Sequence, residues 1–259
     1  MNEARRFLRY VIPGLIFAIQ IVVLLWLLRP GWIREVYSHE LKKESGIALV
    51  FAALLASGGL GTIFSTIHHS WHRRKKCRFM DHREVINRLE AEDILGLKGQ
   101  SSETDKTKTP LTRDQAWSIL VALWHERVES NPLIKTANER TEELVDLLHS
   151  MGTNRVAAVA AAVVAFGLVL EDSTFDLIHF WAYFKDFKLL LHFLLAVAIG
   201  AGMVAVFQSA YVNIARLTQD VVDQVLSDAL LAERKSNGNK VIILPPICKV
   251  SARVQATSR

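Results

Sequence analysis

Four long stretches without charged residues, arranged as two widely separated pairs, constrain the fold of this chain more than any other feature. They cover about 10–28, 46–67, 156–170 and 189–215. A bilayer has a hydrocarbon core of about 30 Å, which a helix of roughly 20 mostly apolar residues can cross. Because a chain in lipid must satisfy its own backbone hydrogen bonds, such segments are helical. The sequence therefore predicts an all-α integral membrane protein with four transmembrane helices in two pairs.

The charged residues lie between these stretches, so the chain is adapted to two solvents, lipid and water. Hydrophobic residues make up 51% of the chain and charged residues 22%. We expect a first transmembrane helix pair at 1–67 and a cytoplasmic helical insertion at 68–155, with a flexible linker at 98–110. A second transmembrane helix pair follows at 156–215. The last part, 216–259, is predicted to be a cytoplasmic C-terminal helix and an extended tail.

The distribution of basic residues predicts the orientation. The short loops at 29–45 and 171–188 carry four and two Lys or Arg, whereas the other three segments carry the remaining 25 of the 31. Cytoplasmic segments carry the excess of Lys and Arg, so both termini and the insertion are expected in the cytoplasm, most naturally of a bacterial inner membrane.

A membrane-surface basic cluster follows the second stretch directly. Its members are Arg73, Arg74, Lys75, Lys76 and Arg78. They can set the topology, contact anionic headgroups, or bind RNA or an anionic messenger. One short basic run without a surrounding fold does not favour nucleic acid, so the bilayer is the expected partner.

The third stretch is the shortest, with 15 residues between Arg155 and Glu171. At 1.5 Å per residue this is about 22 Å of helix, less than the hydrocarbon core. We expect a true span, because the fourth stretch then returns the basic C-terminal part to the cytoplasm. The alternative is a re-entrant or bundle-buried helix, which would change the location of the C-terminus.

Small residues recur every four positions in three of the four stretches, a spacing that lets helix backbones approach closely. The fourth stretch also carries a second such pair, Ala198 and Gly202. Packing within the chain explains some of these faces. Because four helices offer so many of them, a homo-oligomer is expected as well. The predicted helix-packing residues are Ser57, Gly61, Ala157, Ala161, Ala165, Ala196 and Gly200.

Three helices are predicted in the insertion, at 81–97, 112–130 and 133–150. Thr112 followed by Gln115 is a capping-box pattern, which marks the start of the second helix. This helix has too much apolar surface to stand alone in water. It packs on the third helix, docks a cytoplasmic protein partner or another subunit, or lies on the bilayer. Its predicted interaction face consists of Trp117, Leu120 and Trp124.

Two further features follow the fourth stretch. Apolar residues at near-heptad spacing over 213–233 predict that the fourth helix continues as a cytoplasmic helix or coiled coil. The apolar run Val241–Cys248 is too short to span a membrane, and Pro245 and Pro246 exclude a helix. We expect this run to add as a strand to an edge, or to dock in an extended form.

Two groups of residues carry potential metal ligands. His68 and His72 are spaced i, i+4, with His82 downstream, and such a pair can hold a transition metal on a helix face. Residues of the third insertion helix form the other group, Glu142, Asp146 and His149. Neither group has a Cys-x-x-Cys or His-Glu-x-x-His pattern, so interfacial histidines and a solvated charged face are the favoured interpretations. No catalytic, cofactor or metal residue is assigned.

The polar residues within the predicted spans are uncharged and include Gln20, Ser57, His192 and Gln208. This argues against an ion-coupled carrier. We therefore expect a non-enzymatic oligomeric membrane protein: a scaffold, sensor or assembly subunit that displays a helical cytoplasmic module. The alternative is a signal-gated pore-forming or membrane-perturbing effector. A membrane-bound metal-dependent enzyme is the third hypothesis.

Overall fold

The computed structural model describes most of the apolar stretches and much of the sequence between them. The described residues are 7–29, 31, 45–74, 80–97, 111–171, 187–236, 238 and 241–244. A π-helical turn at Phe7–Val11 precedes the first of the six α-helices found among these described residues. In chain order the elements are α1 Ile12–Leu28, α2 Ser45–Arg74, α3 Arg83–Ala91, β1 Leu95–Leu97, α4 Arg113–Arg127, α5 Pro132–Glu171, α6 Phe187–Ser236 and β2 Ile242–Leu244. The chain forms two compact units, unit 1 (Met1–Arg74 and Asp146–Asn213) and unit 2 (Lys75–Val145 and Ile214–Arg259).

Three helices among the described residues are long and apolar enough to cross a membrane. They are Arg9–Leu28, Pro132–Val169 and Phe187–Ser236. The second predicted span lies within α2, which has 30 residues but is not one of these three. The backbone of residues 45–54 is described as helical, but the side chains of this segment, which includes the first part of the predicted span, are not described. The chain is thus predominantly helical, with helices suited to a membrane.

In unit 1, α1 and α2 approach each other at the level of the backbone. A Cβ built on Gly14 would collide with the Ser57 carbonyl, and one built on Gly61 would collide with the Tyr10 carbonyl. Position 14 on α1 therefore meets position 57 on α2, while position 10 meets position 61. Since the numbers rise on one helix as they fall on the other, the two helices run antiparallel.

The same reasoning gives the direction of α5 relative to α1. Arg9 Nη1 lies 3.8 Å from Asp146 Oδ1, and Gln20 Nε2 donates to the Ala158 carbonyl at 3.1 Å. Both numbers rise together by eleven or twelve, so α1 and α5 run parallel. An apolar cluster around Leu24 forms at the other end of α1.

Helices α5 and α6 run antiparallel in unit 1. Arg155 donates to Gln208, and seven residues further along α5 a Cβ on Gly200 would lie 3.8 Å from the Ala162 Cβ. A row of alanines on α5 is fully buried, and side chains this small allow helices to approach closely. These alanines are Ala157, Ala158, Ala161 and Ala165.

Unit 2 begins with α3, which is shorter than the predicted helix at 81–97. It ends in a Schellman motif: Ile94 N donates to the Leu89 carbonyl at 2.9 Å, and Asp93 N donates to the Glu90 carbonyl at 3.1 Å. Asp93 has φ 54°, the left-handed conformation that usually belongs to glycine. Leu97 therefore lies on a strand and not on the predicted helix.

That strand belongs to a two-stranded parallel sheet with three residues in each strand. Leu95 pairs with Ile242 and Leu97 with Leu244. One of the two expectations for the tail, addition as a strand to an edge, is confirmed for this part of the apolar run. The pairing joins the end of the α3 segment to the segment that follows α6.

The core of unit 2 draws apolar side chains from five segments of the chain. The fully buried members include Ile86 from α3, Leu123 from α4 and Ile134 from α5, with Leu226 and Leu230 from α6. Helix α6 therefore completes a core whose other side chains come mainly from the insertion. Leu217, part of the predicted near-heptad pattern, is 50% exposed instead. The buried face of α6 includes small residues such as Ala215 and Ala229, which the apolar pattern left out.

Both ends of α4 are well defined. Thr112 accepts from Gln115 N at 3.3 Å, and Gln115 Oε1 accepts from Thr112 N at 2.9 Å, so the predicted capping box is confirmed. Near the C-terminal end, the buried Arg127 guanidinium donates to Glu233 Oε2 at 2.9 Å. This ion pair attaches α4 to the end of α6.

The helices α5 and α6 are unusually long, with 40 and 50 residues. The third insertion helix predicted at 133–150 and the third apolar stretch form one helix, which passes Gly152 without interruption. The predicted continuation of the fourth helix beyond residue 215 is confirmed. As a result, α5 and α6 each contribute residues to both units.

Candidate functional site at the polar helix ends

Three imidazole rings meet in unit 1, where α2 leaves its apolar stretch and α5 has not yet entered its own. We call His68, His69 and His149 the histidine cluster. The ring centroids of His68 and His149 are 5.6 Å apart, those of His69 and His149 4.4 Å, and those of His68 and His69 5.6 Å. His149 Nδ1 lies 3.4 Å from His68 Nε2, so one neutral ring can serve as donor and the other as acceptor.

His68 is only 1% exposed, and α5 and α6 enclose it. A Cβ on Gly152 would collide with its imidazole ring, so the absence of a side chain at Gly152 creates the space for that ring. On the other side, the Tyr211 ring meets it edge to face at a centroid distance of 5.7 Å. Packing against Gly152 and Tyr211 therefore holds the buried His68 ring in place.

Arg9 extends the cluster to the start of α1. Its guanidinium donates to His69 Nε2, and its Nη1 lies 3.8 Å from Asp146 Oδ1 on α5. The side chains of Arg9 and Asp146 are 20% and 28% exposed. The polar end of α1 is therefore tied to α2 and α5 at the same level.

Arg155 forms the corresponding connection to α6. It donates to Gln208 Oε1, and its guanidinium lies 5.1 Å from the Tyr211 ring centroid and 5.4 Å from that of Trp71. Such cation–π contacts strengthen when they are desolvated. Side chains from the four helices described in unit 1, or from the turn before α1, thus converge on one polar layer.

The sequence treated His68 and His149 as members of two separate groups, whereas the structure brings them together. The groups themselves are not assembled: His82 pairs with Asp223 in unit 2, with Nδ1 2.6 Å from Oδ1, and Glu142 accepts from Asn138 at 2.8 Å. The His72 side chain lies outside the described residues. Within the described part of the chain, no three His, Cys, Asp or Glu residues are placed to hold a metal ion.

The predicted interaction face on α4 divides into a buried and an exposed part. Leu120 and Trp124 are 4% and 7% exposed and belong to the unit 2 core. Trp124 Nε1 donates to Asn138 Oδ1 on α5 at 2.9 Å, so α4 packs on the helix that follows it. Trp117 is 38% exposed, with its ring centroid 5.5 Å from that of His82.

All seven predicted helix-packing residues are buried within the chain. Ser57 and Gly61 face α1, and the three α5 alanines lie in the row described above. Ala196 belongs to the apolar cluster around Leu24, and Gly200 faces Ala162. The second small pair, Ala198 and Gly202, is exposed on α6.

The basic cluster is largely outside the described residues. Arg73 and Arg74 are the last two residues of α2, but their side chains are not described. Lys75, Lys76 and Arg78 lie outside the described part, as does the predicted linker at 98–110.

A charged network in unit 2 anchors the start of α3. Arg83 forms a bidentate pair with the Asp81 carboxylate, the shorter contact being 2.7 Å, and Arg113 Nε donates to Asp81 Oδ2 at 2.9 Å. Hydrogen bonds from Arg83, supported by Arg113, hold the pKa of Asp81 well below its usual range. The Gln219 side chain pairs with the Asp81 backbone, accepting at 2.9 Å and donating at 2.8 Å.

Comparison with known proteins adds no relative to this description: no family model, curated protein or solved structure matches the chain.

Proposed function

We propose that the protein is a non-enzymatic membrane sensor or scaffold in which four membrane helices carry a helical module on the cytoplasmic side. The observation that carries the proposal is the convergence of polar helix ends in unit 1. Arg9 precedes α1, His69 lies near the end of α2, Asp146 precedes the apolar part of α5, and Gln208 lies near the end of that of α6. In a bilayer, groups in one polar layer belong to one membrane side.

This convergence supports an even number of crossings in each pair. Arg9 lies before α1 and His69 lies after the apolar part of α2, and their side chains contact each other. A chain that leaves one side of a membrane and returns to it must cross twice. The antiparallel close contact between Gly14 and Ser57 agrees with such a pair. We therefore assign two spans to α1 and α2.

Unit 2 gives an independent argument for the second pair. Its core joins Ile86 and Leu123, which precede the apolar part of α5, with Leu226 and Leu230, which follow that of α6. One core cannot lie on two sides of a membrane. The chain between 145 and 214 thus crosses an even number of times, and a spanning α6 requires a spanning α5. Because the basic residues are concentrated in the segments on this side, we propose that it is the cytoplasmic side.

The sensor or scaffold role rests on the two shared helices. Helices α5 and α6 supply the small-residue packing of unit 1 and also core side chains of unit 2. A shift of either helix in the membrane would therefore act on residues in the cytoplasmic core. We further propose a homo-oligomer that uses the exposed Ala198–Gly202 pair, because small residues allow close helix approach.

Reporter fusions test the topology. Fusions after residues 38, 105, 180 and 259 are expected to read outside, inside, outside and inside. An inside reading at 180 together with an outside reading at 259 would make the α5 segment re-entrant and contradict the single-sided unit 2 core. Dye release from vesicles that contain the purified chain tests the function class, because a pore releases the dye and a scaffold retains it.

A further inference from the structure

We propose that the Arg155 guanidinium is the headgroup site of an anionic phospholipid, whose phosphate group it binds at the polar edge of unit 1. The inference rests on the proposed membrane placement of unit 1 and adds a ligand to it. Arg155 directly precedes the apolar part of α5. In a bilayer this is the depth at which the headgroup region meets the hydrocarbon core, and long basic side chains reach the interface from there.

The contacts of Arg155 do not include a carboxylate. Its Nη1 donates to Gln208 Oε1, and the guanidinium carbon lies 5.4 Å from the Trp71 ring centroid and 5.1 Å from that of Tyr211. An amide oxygen and two π-faces attract a cation but leave its full charge in place. Among the described residues no acidic side chain pairs with Arg155. Because a partly desolvated charge is costly without a partner, an anion from outside the chain would stabilise this site.

Two nitrogen atoms of the guanidinium are available to such an anion. A guanidinium carries five N–H donors in a planar fork, and Gln208 accepts from Nη1 only. Within the described part of the chain, Nε and Nη2 of Arg155 have no acceptor, and they are not among the buried polar atoms. The two unesterified oxygens of a phosphodiester match two neighbouring donors of this fork.

The aromatic neighbours hold the guanidinium from two other helices. Trp71 on α2 is 46% exposed, whereas Tyr211 on α6 is only 2% exposed, so Trp71 borders the accessible side and Tyr211 the inner side. Tryptophan is also a side chain that favours the headgroup level of a bilayer. A cation already fixed by two rings and an amide loses little side-chain freedom when it binds an anion, which favours binding.

The apolar surface below the guanidinium suits acyl chains. One helical turn deeper than Arg155, Val159 on α5 is 45% exposed, and one turn deeper than Trp71, Ile67 on α2 is 46% exposed. A free phosphate ion would leave this surface unused, whereas a phospholipid covers it. The membrane-surface basic cluster begins two residues after Trp71, and basic residues near a membrane attract anionic lipids in general. An anionic phospholipid is therefore the occupant that fits both the charge and the apolar surface.

The test measures thermal unfolding of the full-length protein in a neutral detergent with phosphatidylglycerol, phosphatidylcholine or inorganic phosphate added. Phosphatidylglycerol is expected to raise the unfolding midpoint by roughly 4 °C, because it binds the folded state. Phosphatidylcholine, whose own cation neutralises its phosphate, should give less than half of this rise, and inorganic phosphate none. Arg155→Gln should lose the rise. Arg140→Gln, which removes the same charge from an exposed position in the unit 2 part of α5, should keep it.

The wild type alone can overturn the proposal, so the test does not depend on the folding of Arg155→Gln. Equal rises with the two lipids would show that the anionic headgroup is not selected. A full rise with inorganic phosphate would show that the ligand is free phosphate and not lipid.

A further comparison separates this site from general attraction to the basic cluster. The double variant Lys75→Gln/Lys76→Gln should keep most of the rise with phosphatidylglycerol. If it loses the rise while Arg155→Gln keeps it, the basic cluster binds the lipid and the Arg155 site is wrong. Reporter fusions and dye release do not measure lipid selectivity, so a failure of the proposed function is distinguishable from a failure of this site.

Discussion

Unit 1 exposes many large apolar side chains, whereas unit 2 buries most of its own. Of the 22 large hydrophobic residues that are exposed among the described residues, 18 belong to unit 1 and four to unit 2. Leu55 on α2 is 81% exposed and Val163 on α5 66%, whereas Ile86 and Leu89 in unit 2 are fully buried. Surfaces of water-soluble proteins do not carry so many contiguous apolar groups. We propose from this comparison that lipid is the solvent of unit 1 and water the solvent of unit 2.

On this proposal, different forces stabilise the interior of each unit. In lipid, burying an apolar side chain gains little, so helices associate through close packing and polar contacts. Unit 1 accordingly uses Gly14, Gly61 and the polar layer around His68. Unit 2 buries a cluster of large side chains and adds an ion pair at Arg127. Substitutions that remove volume should harm unit 2 most, and those that add volume should harm unit 1.

The largest effect is expected from Trp124→Ala in unit 2. Trp124 is 7% exposed and donates to Asn138, so the change removes a core side chain and a hydrogen-bond donor. Large aromatic to alanine substitutions in a core cost about 3–5 kcal/mol. Urea unfolding of the full chain in detergent, followed by circular dichroism and fluorescence, measures the loss.

Trp117→Ala is the matched control for Trp124→Ala, because Trp117 lies on the same helix but is 38% exposed. We expect it to cost less than half as much free energy of unfolding. Equal losses for the two tryptophans would show that the face identified from the sequence acts as one surface. In that case the division into a buried and an exposed part is wrong.

The second prediction adds volume in unit 1. Ala161 is fully buried in the α5 row, and Ala161→Leu would force the helices apart, at a cost of about 1–3 kcal/mol for overpacking. Thermal unfolding in detergent measures it. Ala56→Leu, at an exposed position of α2, should leave the unfolding midpoint unchanged. Similar losses at both positions would contradict the assignment of buried and exposed faces on these helices.

The different forces also explain which features the sequence revealed. Apolar length and the Thr112–Gln115 pattern are local signals, so the helical membrane class and the start of α4 could be predicted. The histidine cluster depends on the pairing of α2 with α5, segments 81 positions apart. No local pattern encodes such a contact. Gly152, placed one turn after His149, is a signal that could have suggested a space for an incoming ring.

The predicted extent of the first insertion helix failed for another physical reason. Leu97 continued the apolar spacing of 81–97, but the backbone changes direction at Asp93. Left-handed positions are usually marked by Gly or Asn, and Asp gives a weaker signal. The strand pairing of Leu95 with Ile242 joins positions far apart in sequence. The sequence alone therefore leaves this pairing as one of two possibilities for the tail.

A smaller effect concerns the charged network at the start of α3. The pKa of Asp81 is lowered by Arg83 and Arg113, so the folded state favours the ionised carboxylate. The resulting stability is fully present above the unfolded pKa, at about pH 4, and is lost as the pH falls below it. The wild type should therefore lose free energy of unfolding from about pH 4 downwards, and Asp81→Asn should show a flatter dependence.

Asp228→Asn is the control for this acid dependence, because Asp228 lies exposed on α6. Its acid profile should match the wild type. The window lies below that of histidine titration, so a loss confined to pH 5–7 arises elsewhere. If Asp81→Asn and the wild type lose stability in parallel below pH 4, the guanidinium contacts do not contribute to the stability of the folded state.

The smallest expected effect is a gain in stability at Asp93. This residue has φ 54° at the end of α3, a conformation that costs an L-residue about 1 kcal/mol or more and glycine nearly nothing. Asp93→Gly should therefore raise the free energy of unfolding of unit 2 by roughly 0.5–1 kcal/mol, while Asp93→Ala should lower it. Both variants keep the backbone hydrogen bonds from positions 93 and 94 to Glu90 and Leu89, so the difference reports the conformation alone. Urea midpoints of the two variants decide the matter. If the alanine variant is as stable as the glycine variant, the helix does not end in a left-handed residue, and α3 extends towards Leu97 as its apolar spacing predicts.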